Sequence, residues 1–76
     1  MGDYQPIDCA QHEHLEYSVL RRIPLVIEYL LENKIERERV LPLDVLTRDG
    51  AEWLKFQRQD GTASELRLDR IVSAVE

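Results

Sequence analysis

Two histidines, one cysteine and a pair of strand carboxylates are the side chains whose types could support chemistry in this 76-residue chain. His12 and His14 flank Glu13, which puts three potential metal ligands in a row. Helical residues two apart point about 200° from one another, whereas two histidines sharing a metal need i, i+4 spacing. Surface histidines are therefore expected, and no metal site. Cys9 falls in the first turn of an expected helix, where the dipole lowers a thiol pKa. No histidine stands in a nucleophile–base pattern with it and its neighbours are acidic, so a small packing residue is the plainer role. Glu36 and Glu38 share a strand face beside Arg37 and Arg39, the usual look of a solvated, salt-bridged strand. Three glycines form no phosphate-cradling loop. The expectation is a protein that is not an enzyme, with no catalytic residues and no cofactor.

Charge is more informative. The formal net charge is −5, and residues 1 to 16 hold Asp3, Asp8, Glu13 and Glu16 with no Lys or Arg. The rest of the chain carries all ten basic residues against eleven acidic ones and is close to balanced. Nucleic-acid binding needs clustered Lys and Arg, and phosphate is repelled by an acidic surface. An acidic segment on a small domain suits a basic protein partner, although a solvated terminus without a role has the same composition. Tyr29, Trp53 and Phe56, read as core or barrel-wall residues, have Lys55, Arg58 and Arg67 near them in sequence. That combination keeps weak binding of single-stranded nucleic acid as an alternative.

The elements that must position these residues follow from length and periodicity. A chain this short buries only about 60% of its unfolded surface, enough for one domain over residues 1–76 but not for a deep, walled pocket. Its 43% hydrophobic and 33% charged composition is that of a globular protein. The longest uncharged apolar run, Ile23 to Ile27, is far below the roughly 20 residues that cross a bilayer. The opening Met-Gly-Asp-Tyr-Gln-Pro lacks a basic-then-apolar leader. One cysteine allows neither an internal disulfide nor a thiolate zinc cage. A soluble protein of a reducing, cytoplasmic compartment is expected.

Pro6 forces Gln5 into extended backbone. Asp8 is then an N-cap, with Gln11 three residues on completing a capping-box pattern. A helix over about 9–21 follows, with Leu15, Val19 and Ile23 as its inner stripe. Its acidic start and the Arg21-Arg22 end complement the helix dipole, and Pro24 stops it. Beyond that point the hydrophobic period changes from 3.6 to 2. Strands are expected at about 24–32, 35–43, 51–58, 63–68 and 70–75. Glu32-Asn33-Lys34 makes a polar turn, and Asp-Gly pairs at 49–50 and 60–61 make hairpins. Pro42 implies an edge or a bend. The predicted class is α+β: an N-terminal helix followed by a small five-stranded antiparallel barrel, closure removing exposed edges.

Two segments are more specific than these patterns. Tyr4-Gln5-Pro6-Ile7-Asp8-Cys9, leading into an acidic helix, resembles the opening of the Rof family, the Rho-binding antiterminators. Glu65-Leu66-Arg67-Leu68-Asp69-Arg70-Ile71 is similar to that family's closing strand, so the resemblance spans nearly the whole chain. Glu36-Arg37, Val40-Leu41-Pro42-Leu43, Trp53-Leu54 and Leu66 to Ile71 are also similar to WYL domains, ligand-sensing modules of bacterial transcription regulators. Both families have a small Sm-like barrel. The N-terminal hexapeptide, without a DNA-binding segment, favours Rof.

The Rof resemblance implies a bacterial regulator of transcription termination. It would bind the N-terminal region of the Rho helicase and block the primary RNA site, so that RNA cannot load. On that basis Asp8, Glu13 and Glu16 are the expected charge partners of Rho lysines and arginines, with Tyr4 and His12 adding contacts. The loop Thr47-Arg48-Asp49-Gly50 matches a second contact through Arg48, although Asp49-Gly50 departs from the family's polar and basic loop. Ala10-Gln11-His12 likewise replaces an acidic and aromatic run. A monomer without direct nucleic-acid or membrane contacts is implied. The alternatives are a WYL-like sensor that holds a small ligand or nucleotide through Trp53, Arg67 and Arg70, and an Sm-like RNA binder. Asp69, between two arginines, is expected to form an internal ion pair.

Overall fold

A computed structural model describes residues 8–76. Asp8 is the N-cap of helix α1, Cys9–Arg21. Its backbone is extended and its Oδ1 accepts the Gln11 N–H at 2.9 Å, satisfying one of the helix's free donors. The first turn holds no acidic residue, so the helix dipole is complemented there by the cap itself. At the other end Arg22 adopts left-handed backbone, φ 56°. The Ile23 N–H reaches the Ser18 carbonyl at 2.9 Å and the Arg22 N–H the Val19 carbonyl at 3.3 Å, a Schellman closure with arginine in the position glycine usually takes.

Five strands follow: β1 Leu25–Leu31, β2 Lys34–Arg48, β3 Ala51–Gln57, β4 Ala63–Arg67 and β5 Ile71–Val75. They form one antiparallel sheet in the order β4-β3-β2-β1-β5. The chain is α+β, its N-terminal helix followed by a five-stranded antiparallel sheet curled into a small barrel-like body. Strand β2 is longer than its expected span of 35–43. Its first half pairs with β1, Leu25 opposite Val40, and its second half with β3, Arg48 opposite Ala51. The changeover falls between Val40 and Leu41, and a register shift between Pro42 and Asp44 follows just inside the half paired with β3. Proline cannot donate to a ladder, and a bulge turns a strand, so Pro42 bends β2 without ending it.

The ends of β4 and β5 also differ from expectation. Leu68–Arg70 form a 3-10 turn between them, where strands had been expected to run to 68 and restart at 70. Arg67 and Asp69 make a bidentate pair across this turn, at 2.8 and 2.9 Å, while Leu68 is fully buried. The turn bridges the two outer strands, which share no ladder.

Glu32 and Asn33 are both left-handed, as are Asp49 and Gly50, the signature of two-residue type I′ hairpins. The Asp60-Gly61 pair does something else. Arg58 donates its N–H to the Thr62 carbonyl at 2.7 Å and Gly61 its own to Arg58 at 2.9 Å, giving a three-residue loop with Gly61 left-handed. Thr62 donates its N–H and hydroxyl to Asp60 Oδ1, which holds that carboxyl below its ordinary range.

The core comprises Leu15 from the helix, Leu25, Ile27 and Tyr29 from β1, Val40, Leu54, Phe56, Leu68 and Ile71. Of the expected helix stripe, Leu15 is buried and Val19 packs against the core, while Ile23 lies past the helix and is half-buried. Ser18 is fully buried where α1 lies on β2, and its hydroxyl has no hydrogen-bond partner. Among the described residues no helix is long and apolar enough to cross a membrane.

Tyr29 links the core to the rim. Its hydroxyl donates to Glu38 Oε2 at 2.6 Å, and Arg58 Nε donates to Glu38 Oε1 at 3.0 Å. Burial first, and then the Glu38 carboxylate, raise the phenol above its ordinary value of 10.0, with Arg58 opposing them. The folded protein thus keeps a proton that an unfolded tyrosine would release. That contribution is whole below about pH 10 and is lost as pH rises through the raised value. Tyr29→Phe is expected to cost about 1 kcal/mol near neutral pH through the lost hydrogen bond and to lose less stability on going alkaline. Denaturant unfolding of both proteins on either side of pH 10 checks both parts.

Candidate protein-binding surface

Of the residues expected to meet a partner, the described ones lie on α1 and its cap and on the β2–β3 hairpin, and a side-chain contact joins the two. His12 Nε2 donates to Glu52 Oε2 at 2.9 Å, and its Nδ1 lies 3.4 Å from Glu16 Oε1. Glu52 stands opposite Thr47, one pair from the turn at Asp49-Gly50. The helix is therefore fixed beside the hairpin that carries Arg48. His12, expected at the surface, is only 24% exposed in its side chain; it positions the helix. His14 is half-buried as well.

Three acidic residues remain available around this contact. Asp8 is exposed, with one carboxylate oxygen held by the cap. Glu13 and Glu16 are exposed, and Glu16 leans toward His12 without being covered by it. Tyr4 lies outside the described residues. Cys9 is exposed beside the cap, not packed as expected. Among the described residues, no group of three or more His, Cys, Asp or Glu is placed to hold a metal ion.

Arg48 is more constrained than its place in a loop motif indicated. Its Nη2 donates to Glu65 Oε1 at 2.7 Å, and its guanidinium stacks 4.7 Å from the Trp53 ring centre. Trp53 in turn donates its indole N–H to the Arg48 carbonyl at 3.2 Å. The pairing raises the arginine above its ordinary value and lowers Glu65 below its own. Both partners are solvent-screened, so the triad shapes the surface more than it stabilises the fold. Glu52 and Glu65 were not recognisable from the sequence. Each contacts a residue on a non-neighbouring element, and no local pattern encodes such a pairing.

A second feature adjoins this triad and shares Trp53 and Glu65 with it. Trp53, Arg67 and Arg70 line one open groove of about 450 Å³, together with Leu30, Leu31 and Leu66. Arg67 is held by Asp69, the expected internal pair, while Arg70 is exposed.

No family model matches the chain. Two curated relatives, each named Protein rof, come from Escherichia coli (strain K12) and Shigella flexneri. Both are 31% identical over 70 residues, covering 92% of this chain and 79% of theirs. Among solved structures, the proteasome accessory factor B/C (PafBC) of Arthrobacter aurescens superposes with a TM-score of 0.76 at 17% identity. That match covers 92% of this chain and 12% of the other, and at this identity it speaks for the fold alone.

The His12–Glu52 contact makes its own prediction. His12→Ala should lower stability by about 1 kcal/mol, the usual worth of one such hydrogen bond. It should also speed amide exchange in the first turns of α1 while leaving β1 and β3 protected. Uniform acceleration across the molecule would mean that the contact does not serve the helix in particular.

Proposed function

This chain belongs to the Rof family, and from that premise we propose that it binds the N-terminal RNA-binding region of the Rho termination helicase. Seated there it covers the primary RNA site, keeps RNA from loading and inhibits Rho-dependent termination. The protein acts by occupying a surface, not as an enzyme, and as a monomer in the cytoplasm where transcripts are made.

The observation that carries this reading is the segregation of charge. Four carboxylates and no Lys or Arg precede Tyr17, and Asp8, Glu13 and Glu16 are solvent-exposed on a helix fixed against the barrel. A protein site built for phosphate is basic, and carboxylates on a rigid helix can replace the phosphates. Asp8, Glu13 and Glu16 are the charge partners, with Tyr4 beside them. His12 holds the helix in place from within. Arg48 enters with one side of its guanidinium committed to Glu65, which leaves its remaining donors for a partner.

Reversing Glu13 and Glu16 together to Lys should weaken Rho binding about a hundredfold or more, roughly tenfold per charge or 1.4 kcal/mol each. The far-ultraviolet circular dichroism should not change, since both residues are exposed. Wild-type affinity should also fall as salt shortens the Debye length from roughly 10 Å at 0.1 M. Unchanged affinity in the double variant would remove the acidic helix from the account.

The groove of Trp53, Arg67 and Arg70 favours a second reading, a small-ligand sensor. On that reading an anionic aromatic ligand such as a nucleotide would stack on Trp53 and pair with Arg70. A nucleotide screen by thermal shift separates the two: stabilisation abolished by Arg70→Ala supports the sensor, and a flat response across the screen contradicts it.

A further inference from the structure

A groove of about 290 Å³ runs between α1 and β2, lined by Glu16, Val19, Leu20, Asp44 and Val45. Its floor is apolar and its two walls are acidic. Val19 and Val45 are half-buried, whereas Leu20 is 79% exposed, the highest exposure of any large hydrophobic residue described. Asp44 is placed by the bulge that follows Pro42 and is exposed. It stands opposite Lys55 in the ladder, yet the two form no ion pair. Among the described residues, Glu16 lies 3.4 Å from Nδ1 of His12 and is exposed.

We infer that this groove receives one lysine or arginine side chain of the basic partner, an inference that rests on the Rho-binding reading. Those two residues carry an aliphatic stem under a charged head, which matches an apolar floor between two carboxylates. The volume lies at the low end for small-molecule pockets and has room for one long side chain. Charge excludes other occupants: an anionic ligand meets two carboxylates, and a second copy of this chain brings its own net charge of −5. The groove is continuous with the acidic face of α1 through Glu16, so one partner can engage both.

The test is the affinity of purified Rho for five forms of the full chain: wild type, Asp44→Asn, Asp44→Glu, Leu20→Ser and Glu13→Lys. Asp44 and Leu20 are exposed, so their variants should unfold like wild type, which thermal denaturation verifies. The inference expects roughly tenfold weaker binding for Asp44→Asn, several-fold weaker for Leu20→Ser, and wild-type affinity restored in Asp44→Glu. Wild-type affinity in both Asp44→Asn and Leu20→Ser, with Glu13→Lys still impaired, overturns the groove and leaves the Rho reading standing. No binding of the wild-type chain to Rho overturns both.

Discussion

Strand β2 has to turn a corner, and the rest of the molecule is arranged around that bend. A flat five-stranded sheet of this size would leave one apolar face in water. Passing from β1 to β3 after Val40, and shifting register just beyond at Pro42–Asp44, β2 serves two half-sheets, with β1 and β5 on one side and β3 and β4 on the other. The curl brings Leu25 and Ile27 toward Leu54 and Phe56, and Leu68 and Leu15 join the same core. A chain that buries so little of its surface depends on every one of these residues reaching a common interior. The 3-10 turn at Leu68–Arg70 finishes the curl, and the Arg67–Asp69 pair sets its geometry.

The same bend determines where the charges go. The helix lies on β2, buries Leu15 and Ser18 and is tied to β3 through His12 and Glu52. This leaves Asp8, Glu13 and Glu16 in solvent on an element that is not free to swing. Preorganisation matters for an interface made of charges: fixed carboxylates lose less side-chain and segment entropy on binding than a flexible acidic tail would. Asp44 emerges at the bulge itself, so the fold-forming irregularity also supplies an acid next to the helix. Architecture and electrostatics here share residues.

What was legible in the sequence was local. The Asp8 cap, the Pro24 stop and the switch of period gave the helix and the first strand to within a residue. Glu32-Asn33-Lys34 and Asp49-Gly50 marked their turns, Asn33, Asp49 and Gly50 being residues that accept left-handed backbone, although Lys34 already belongs to β2. The Rof resemblance, carried by the opening hexapeptide and the closing strand motif, agreed with the relatives found by comparison. Tertiary features escaped. Pro42 was compatible with either an edge or a bend, and only the pairing of residues 41–48 with β3, with its register shift after Pro42, decides for the bend. Asp60-Gly61 looked like the earlier Asp-Gly turn, but Thr62 captures the Asp60 carboxylate and opens a longer loop. His12 looked like a surface residue because its partner is 40 positions away. Arg48 looked free for the same reason, Glu65 lying two strands over.

The central claim is that this protein and RNA compete for one site on Rho, and a competition titration tests it most directly. Labelled cytosine-rich RNA is bound to purified Rho and the protein is added while RNA anisotropy is followed. The account predicts complete displacement, with a midpoint that rises in proportion to the RNA concentration. Binding of the protein to a Rho complex that retains its RNA would contradict it.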